Sequence, residues 1–346
     1  MKRFYCTYFD KNYLARGMAF IESLQKHEIK DYELYVICMD ELTMTLLKIL
    51  NYTNVKLIPF DQIERSDKRL LNTKNNRSPV EYIWTAKSSI IFWLLNTFSN
   101  IEALCYFDAD MYFFQSPDPI WKELLSYSVV IHEHRFSKDR MTLSRFGNFN
   151  AGFFGFCNDL KGKNVLNWWR DRTLECCSSR LENDKFADQL YLHYFPNFDC
   201  VQIIKHIGVG VAPWNHIQYY FSKNNNNQLL VNDSQLIFYH FHSLLPVEPE
   251  FVIPSTNLKT VFSIDIMSLC YIPYVENLQK SFTKIRNIQH DFSYGLQGKI
   301  IITKEHTFLA HKSIRQAIKN LSSNIPHKHI PLADNWDCYA TFQLKG

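Results

Sequence analysis

Tyr106-Phe-Asp-Ala-Asp-Met-Tyr-Phe-Phe114 sets two carboxylates, Asp108 and Asp110, one residue apart inside an otherwise apolar run. The residues leading into it, Ala103–Phe107, have the unbroken apolar character of a strand buried on both faces, as in a parallel sheet. The acids then fall at that strand's C-terminal end, the edge where open α/β sheets bind ligands. Unpaired buried carboxylates are costly, so a strand-end position, a counter-ion or a metal has to accommodate them. Carboxylate oxygens suit Mg²⁺ or Mn²⁺, ions that complete their shells with substrate phosphates.

Outward from this stretch, short apolar runs alternate with helix-like segments, the pattern of βαβ units and a largely parallel sheet. Arg3–Tyr8, Leu34–Met39 and Val55–Ile58 read as strands, and Leu14–Gln25 and Leu42–Leu50 as the intervening helices. Glu64–Ser78 is polar and basic, an exposed loop or short helix, whereas Trp84–Leu95 is apolar nearly all round and reads as a buried helix. Further strands are expected at Val129–His132, Gly152–Phe156 and Leu236–Phe241, helices at Val165–Cys176 and Phe186–Phe195, and a turn at Asn224–Asn227.

With 346 residues, 46% hydrophobic, 21% charged and 15% aromatic, the chain has the composition of a folded protein: one large α/β domain with an appendage, or two domains. Asp10 interrupts the N-terminus before an apolar signal segment can form, and no run of about 18 uncharged apolar residues follows, so neither signal peptide nor transmembrane helix is expected. The nine cysteines show no metal-type spacing. Cys6, Cys38, Cys105 and Cys157 sit in apolar segments as small buried hydrophobes, which fits a reducing cytoplasm. The net charge of +4 is unevenly spread: Lys280–Lys328 holds nine basic residues against Asp291 and Glu305, +7, leaving −3 elsewhere. Such asymmetry points to an anionic partner. Within it His311–Leu321 reads as an amphipathic helix, docked on the domain or lying on an anionic membrane. No nucleic-acid recognition motif accompanies the charge, so nucleic acid is not expected as a partner.

Three further segments carry candidate chemistry. Asn150-Ala151-Gly152 joins a polar loop to an apolar strand; glycine permits close backbone approach and Asn offers donor and acceptor to a hydroxyl-rich ligand, although a plain turn before a strand has the same composition. Asp188-Gln189 opens an amphipathic segment, where a solvated face, or a helix cap at Asp184, is the duller reading. His240 and His242 stand at alternate positions of a strand-like run and share a face, which makes a further metal ligand plausible.

Taken in order, these segments resemble the GT-A nucleotide-sugar glycosyltransferases, especially the glycogenin-like and lipopolysaccharide galactosyltransferase-like family 8 and related bacterial enzymes. The resemblance runs from about Arg3 to Ser243. It implies an α/β GT-A fold, Rossmann-like, with a mostly parallel central sheet flanked by helices in residues 1–245. A C-terminal, mainly helical extension over 246–346 would contact acceptor or membrane surface. By resemblance Thr7, Asp10, Tyr13, Lys87 and Ala109 bind the nucleotide; Asp108, Asp110 and His240 hold Mn²⁺ (or Mg²⁺) against its diphosphate. Asn150, Ala151, Gly152, Trp214, Asn215 and His242 line the sugar pocket, and Asp188 and Gln189 act at the reacting carbon.

The family's Lys-Pro-Trp after the metal histidine is replaced here by His242-Ser-Leu-Leu-Pro246. The resemblance therefore leaves the group gripping the leaving diphosphate unidentified; His242 could serve, or Arg135 and Lys205 from elsewhere. The implied reaction is metal-assisted transfer of a sugar from a nucleoside diphosphate sugar, UDP-linked, to an acceptor hydroxyl with retention. The acceptor would be a surface polysaccharide or lipid-linked glycan, at the inner face of the membrane. A sugar nucleotidyltransferase is disfavoured because Cys6–Tyr13 contains no glycine for a phosphate loop. A catalytically silent glycan-binding protein on the same fold is the remaining alternative.

Overall fold

The computed structural model describes residues 1–297 apart from 183, 249, 250, 257 and 259, together with a short strand at Phe342–Gln343. The amphipathic segment His311–Leu321 lies outside the described residues, as does most of the basic region beyond Gln297.

The first half alternates as its periodicity predicts: β1 (Arg3–Phe9), α1 (Leu14–His27), β2 (Tyr32–Cys38), α2 (Glu41–Leu50) and β3 (Val55–Pro59). The polar segment that follows forms two short helices, α3 (Phe60–Ser66) and α4 (Lys68–Thr73). α5 (Pro79–Thr97) begins five residues before the apolar run that announces it. Ser78 and Glu81 form a reciprocal capping box, and Pro79 sits at the first helical position. β4 (Ala103–Phe107) ends at the acid pair and is followed by β5 (Met111–Phe113), α6 (Asp118–Ser126), β6 (Val129–Ile131), β7 (Phe153–Cys157), α7 (Leu160–Glu175) and β8 (Val201–Ile203). α7 also starts ahead of its apolar face, because the Asp159 carboxylate caps it by accepting from the Gly162 N–H at 2.7 Å.

The central sheet has seven strands in the order β3-β2-β1-β4-β7-β6-β8. β7 runs antiparallel to β4 and β6, and all other neighbours pair in parallel. One face packs on α1 through Tyr5, Phe9, Phe20 and Phe107; the other packs on α5 and α7 through Tyr8, Ile90, Tyr106 and Trp169.

Beyond the sheet, β9 (Phe221–Lys223), β10 (Leu229–Val231) and β11 (Ser234–Gln235) form a small antiparallel unit, with the Asn224–Asn227 turn between its first two strands. β12 (Phe238–His240) is shorter than the sequence suggests and pairs antiparallel with β5, outside the main sheet. The helix expected at Phe186–Phe195 is instead a turn leading into a 3₁₀ segment, Leu190–Asn197. Ala187 has φ of 48°, which no right-handed helix accepts, and Pro196 removes a donor further on.

The hairpin β13 (Leu245–Glu248) and β14 (Phe251–Ile253), which also pairs with β15 (Phe342–Gln343), leads to α8 (Ile264–Ile266). A π turn, Met267–Tyr271, joins α8 to α9 (Ile272–Ile288). This part of the extension is continuous with the core: Phe262, Tyr271, Tyr274 and Phe282 belong to the same buried cluster as α1, and Tyr274 stacks on Phe241 with centroids 3.8 Å apart. Among the described residues no helix is long and apolar enough to cross a membrane. Cys6, Cys38 and Cys105 are buried as expected, whereas Cys157 is only partly so.

Candidate active site

β1 and β4 lie side by side in parallel, so their C-terminal ends open at the same edge of the sheet. A cleft of about 660 Å³ occupies that edge. Phe9, Asp10, Asn12, Tyr13 and Arg16 line one side, Trp84 and Lys87 of α5 another, and Asp108, Ala109 and Asp110 the floor. His240, His242 and Leu244 close it from the strand β12 side, and Gly295 to Gln297 of the extension reach its rim.

The acid pair sits in a turn held by three backbone hydrogen bonds. Asp108 N donates to Gly152 O at 2.8 Å, Met111 N to Asp108 O at 3.2 Å, and Phe241 N to Asp110 O at 2.9 Å. The last of these bonds, with β5 pairing to β12 in the register His240↔Met111, brings a residue about 130 positions away onto the acids. His240 Nε2 lies 3.1 Å from Asp110 Oδ1, both side chains buried. Burial opposes both charges, but each partner's charge and hydrogen bond outweigh it: Asp110 is held well below the usual carboxylate range and His240 is raised. For His242 burial dominates, seconded by the charge of His240, and its pKa falls to about 4.

Asp110, His240 and His242 each present one ligand atom within 4.8 Å of the others, a carboxylate and two imidazoles on one side of the floor. His240 Nδ1 is buried without a hydrogen-bond partner, as a nitrogen reserved for another ligand would be. His242 joins Asp110 and His240 of the expected set in this group, and Asp108 lines the same cleft beside it. The Asp108 carboxylate accepts from the Tyr106 hydroxyl and lies 3.3 Å from Lys87 Nζ.

Lys87 is itself 4% exposed and also donates to Ala151 O at 2.8 Å and pairs with Asp188 at 3.2 Å. Burial disfavours its charge, yet Asp108 and Asp188 together raise its pKa. Asp188 moves the other way from a normal salt-bridged acid: burial lifts its pKa against the pull of Lys87. Gln189 donates to Phe146 O at 3.0 Å and accepts from Ala151 N at 3.4 Å, tying the loop before β7 to the 3₁₀ segment. Asn150 accepts from Gly152 N at 2.9 Å and meets His134 Nε2 at 3.1 Å. Its polar ends are thus spent inside the protein, and it does not line the cleft.

Asp10 and Tyr13 reach the cleft. Asp10 accepts from Asn12 N and Nδ2, at 3.0 and 2.7 Å, and Tyr13 is 43% exposed. Thr7 does not line the cleft: it shares strand parity with Tyr5 and Phe9 and is fully buried on the α1 face. Trp214 packs edge-on against His240 and His242, centroids 5.3 and 5.4 Å away, and donates to His134 O at 3.0 Å. Asn215 is wholly buried, donating to His134 O and Gly210 O and accepting from Ala212 N, so it braces the wall. Of the candidates for gripping a diphosphate, His242 lines the cleft; Arg135 is tied to the His206 and Val209 carbonyls and Lys205 pairs with Glu133, and neither lines it.

The model of glycosyl transferase family 8 matches residues 6–167. YfnF of Bacillus subtilis (strain 168), an uncharacterized protein, is 34% identical over 248 residues, covering 68% of this chain and 80% of its own. The uncharacterized YfnD of the same organism is 29% identical over 310 residues, 87% of this chain and 97% of its own. Among solved structures, the galactosyltransferase LgtC in complex with donor and acceptor sugar analogs shares the fold at 12% identity and a TM-score of 0.51, over 80% of this chain and 95% of that one. With its cleft at the carboxyl edge of a mostly parallel sheet, the chain belongs to glycosyl transferase family 8 and is a glycosyltransferase.

Proposed function

We propose that the chain transfers a glycosyl unit, with retention, from a nucleoside diphosphate sugar, preferentially UDP-linked, to an acceptor hydroxyl, assisted by a divalent cation. The observation that carries this reading is the convergence of Asp110, His240 and His242 on the cleft floor, with His240 Nδ1 left without a protein partner. Two imidazoles beside carboxylate oxygen favour Mn²⁺ over Mg²⁺, whose ligands are almost all oxygens. When bound there, the cation supplies Lewis-acid stabilisation of the charge that collects on the departing diphosphate.

The chain's own groups do the rest. Tyr13 offers an exposed ring at the mouth of the cleft for the nucleoside base. Lys87 pairs with Asp108 and Asp188 and holds both in place, so that Asp188 can accept from a sugar hydroxyl in the buried end of the site. Gln189 braces the Ala151 backbone, which suits a positional role beside a front-face attack more than a nucleophilic one. The proposed acceptor is a surface polysaccharide or lipid-linked glycan, approached at the inner face of the membrane. The excess of basic residues over Lys280–Lys328 supports that approach.

The test is a screen of nucleoside diphosphate sugars with the purified full chain, with Mn²⁺ or with chelator, following donor turnover and product anomer by NMR. Expected are Mn²⁺-dependent turnover, its loss in Asp110→Asn, and a retained anomer. Undiminished turnover by Asp110→Asn would overturn the metal assignment, and an inverted product the stereochemical one.

A further inference from the structure

The turn after β12, His242-Ser-Leu-Leu-Pro246, brings no lysine or arginine to the cleft. Besides the two histidines, the cationic side chains that line it among the described residues are Lys87 and Arg16. Lys87 is committed to two carboxylates and a carbonyl. Arg16 is different.

It stands in the first turn of α1 and is 6% exposed. Its guanidinium donates to two neutral acceptors, Asn12 O at 3.1 Å and Leu244 O at 2.9 Å, and lies 4.5 Å from the centre of the Tyr13 ring. Among the described residues no carboxylate comes within ion-pair distance of it.

A buried guanidinium without a counter-ion is unfavourable unless one arrives. Of its five N–H donors, the two carbonyls engage one on each terminal nitrogen. The remainder, at the wall of an open cleft beside a candidate metal cluster, suit an anion with several oxygens. The Leu244 bond also fixes where that charge sits, because Leu244 is four residues after His240, on the turn that could otherwise have supplied a cation.

We propose that Arg16 is a donor-binding residue that grips the diphosphate of the nucleotide, supplying from the first helix the positive charge that the turn after His240 lacks. This rests on the proposed nucleoside diphosphate donor. The experiment is calorimetric binding of UDP, UMP and inorganic pyrophosphate, each with Mn²⁺, to the wild-type chain and to Arg16→Gln and Arg16→Lys. Arg16→Gln should bind UDP and pyrophosphate about tenfold more weakly or worse, with a smaller loss for UMP, since a charge-assisted bond to phosphate is removed. Arg16→Lys keeps the charge without the planar fork and should fall between. UDP and pyrophosphate affinities in Arg16→Gln equal to wild type would overturn the proposal while leaving the donor class standing. If Arg16→Gln does not fold, pyrophosphate binding by Arg16→Lys indistinguishable from wild type overturns it. Absence of binding of both UDP and pyrophosphate to the wild-type chain would instead bring down the donor class itself.

Discussion

Gly152→Ala tests whether the acid turn, the strand β7 and His240 form one packed unit. A Cβ at position 152 would lie 2.6 Å from Met111 Cε, 2.7 Å from Asn150 Oδ1 and 3.0 Å from His240 Cε1. Comfortable carbon contacts lie near 3.5–4.0 Å, so each neighbour has to give by roughly 0.5–1 Å. The Met111 methyl can swing away. Asn150 cannot move freely, because its oxygen accepts from Gly152 N and its amide meets His134; His240 is held by Asp110 and edge-on by Trp214.

Overpacking of this kind costs about 1–3 kcal/mol, which in a chain this long is a fall of a few degrees in melting temperature, at roughly 2–4 °C per kcal/mol or less. Displacing His240 should also weaken Mn²⁺ by about 10–100-fold, the usual effect of disturbing a ligand's support. Differential scanning fluorimetry over a Mn²⁺ titration reads both quantities. Gly155→Ala is the control: its Cβ would meet Val130 Cγ2 at 2.5 Å and Leu124 Cδ2 at 3.0 Å, in the apolar core, and should lower the melting temperature with the Mn²⁺ midpoint unchanged. A Gly152→Ala chain whose Mn²⁺ midpoint matches wild type would refute the packing argument even if its stability fell.

Lys87→Met strips the cation from Asp108 and Asp188, leaving a carboxylate at 3% exposure to take up a proton. Breaking a buried pair this way costs about 3–5 kcal/mol in chemical denaturation, partly recovered in Lys87→Met/Asp188→Asn, and a cost under about 1 kcal/mol would contradict the buried-pair reading. Acidification should destabilise the fold through histidines buried neutral: burial holds His132 well below 6.5, His216 at about 3 and His27 at about 4. The unfolded chain therefore binds more protons, stability is full above about pH 6.5, and it declines as pH falls toward 3; a melting temperature flat between pH 6.5 and 4.5 would show these assignments to be wrong.

What the sequence disclosed about the site was local in character. The acid pair after an apolar strand, Asn150-Ala151-Gly152, Asp188-Gln189 and the two histidines are each recognisable within a few residues; of these the acid pair and the histidines line the cleft, whereas Asp188 and Ala151 meet it only through Lys87. Arg16 was silent because it lies among Leu14, Ala15 and Met18 on the apolar face of α1, where an arginine reads as a snorkelling side chain. Its meaning comes from Leu244, 228 residues later. Strand parity alone did not place Thr7, since Phe9 on the same face lines the cleft; the full burial of Thr7 does. The pairing of Asp108 with Lys87 had no local signal, because it joins α5 to the turn after β4.

β5 was missed for a related reason, and it organises the site. Asp108 and Asp110 mark where β4 stops, but the three apolar residues Met111–Phe113 are too few to show alternation and so do not announce a strand of their own. The register of β5 on β12 decides whether His240 meets Asp110, and a slip by one residue would bring Tyr239 to that face in its place. Side chains fix this register. Phe113 and Phe238, paired across the two strands, interlock with Phe107 and Phe153 of the main sheet at centroid distances of 4.8 to 6.0 Å, in tilted and edge-on arrangements that a shifted strand could not reproduce. Two residues further along β12 from Phe238, on the same face, stands His240. The high aromatic content of the chain thus bears on chemistry as well as on stability, for the rings that fill the core also set the angle at which the histidine approaches the acid.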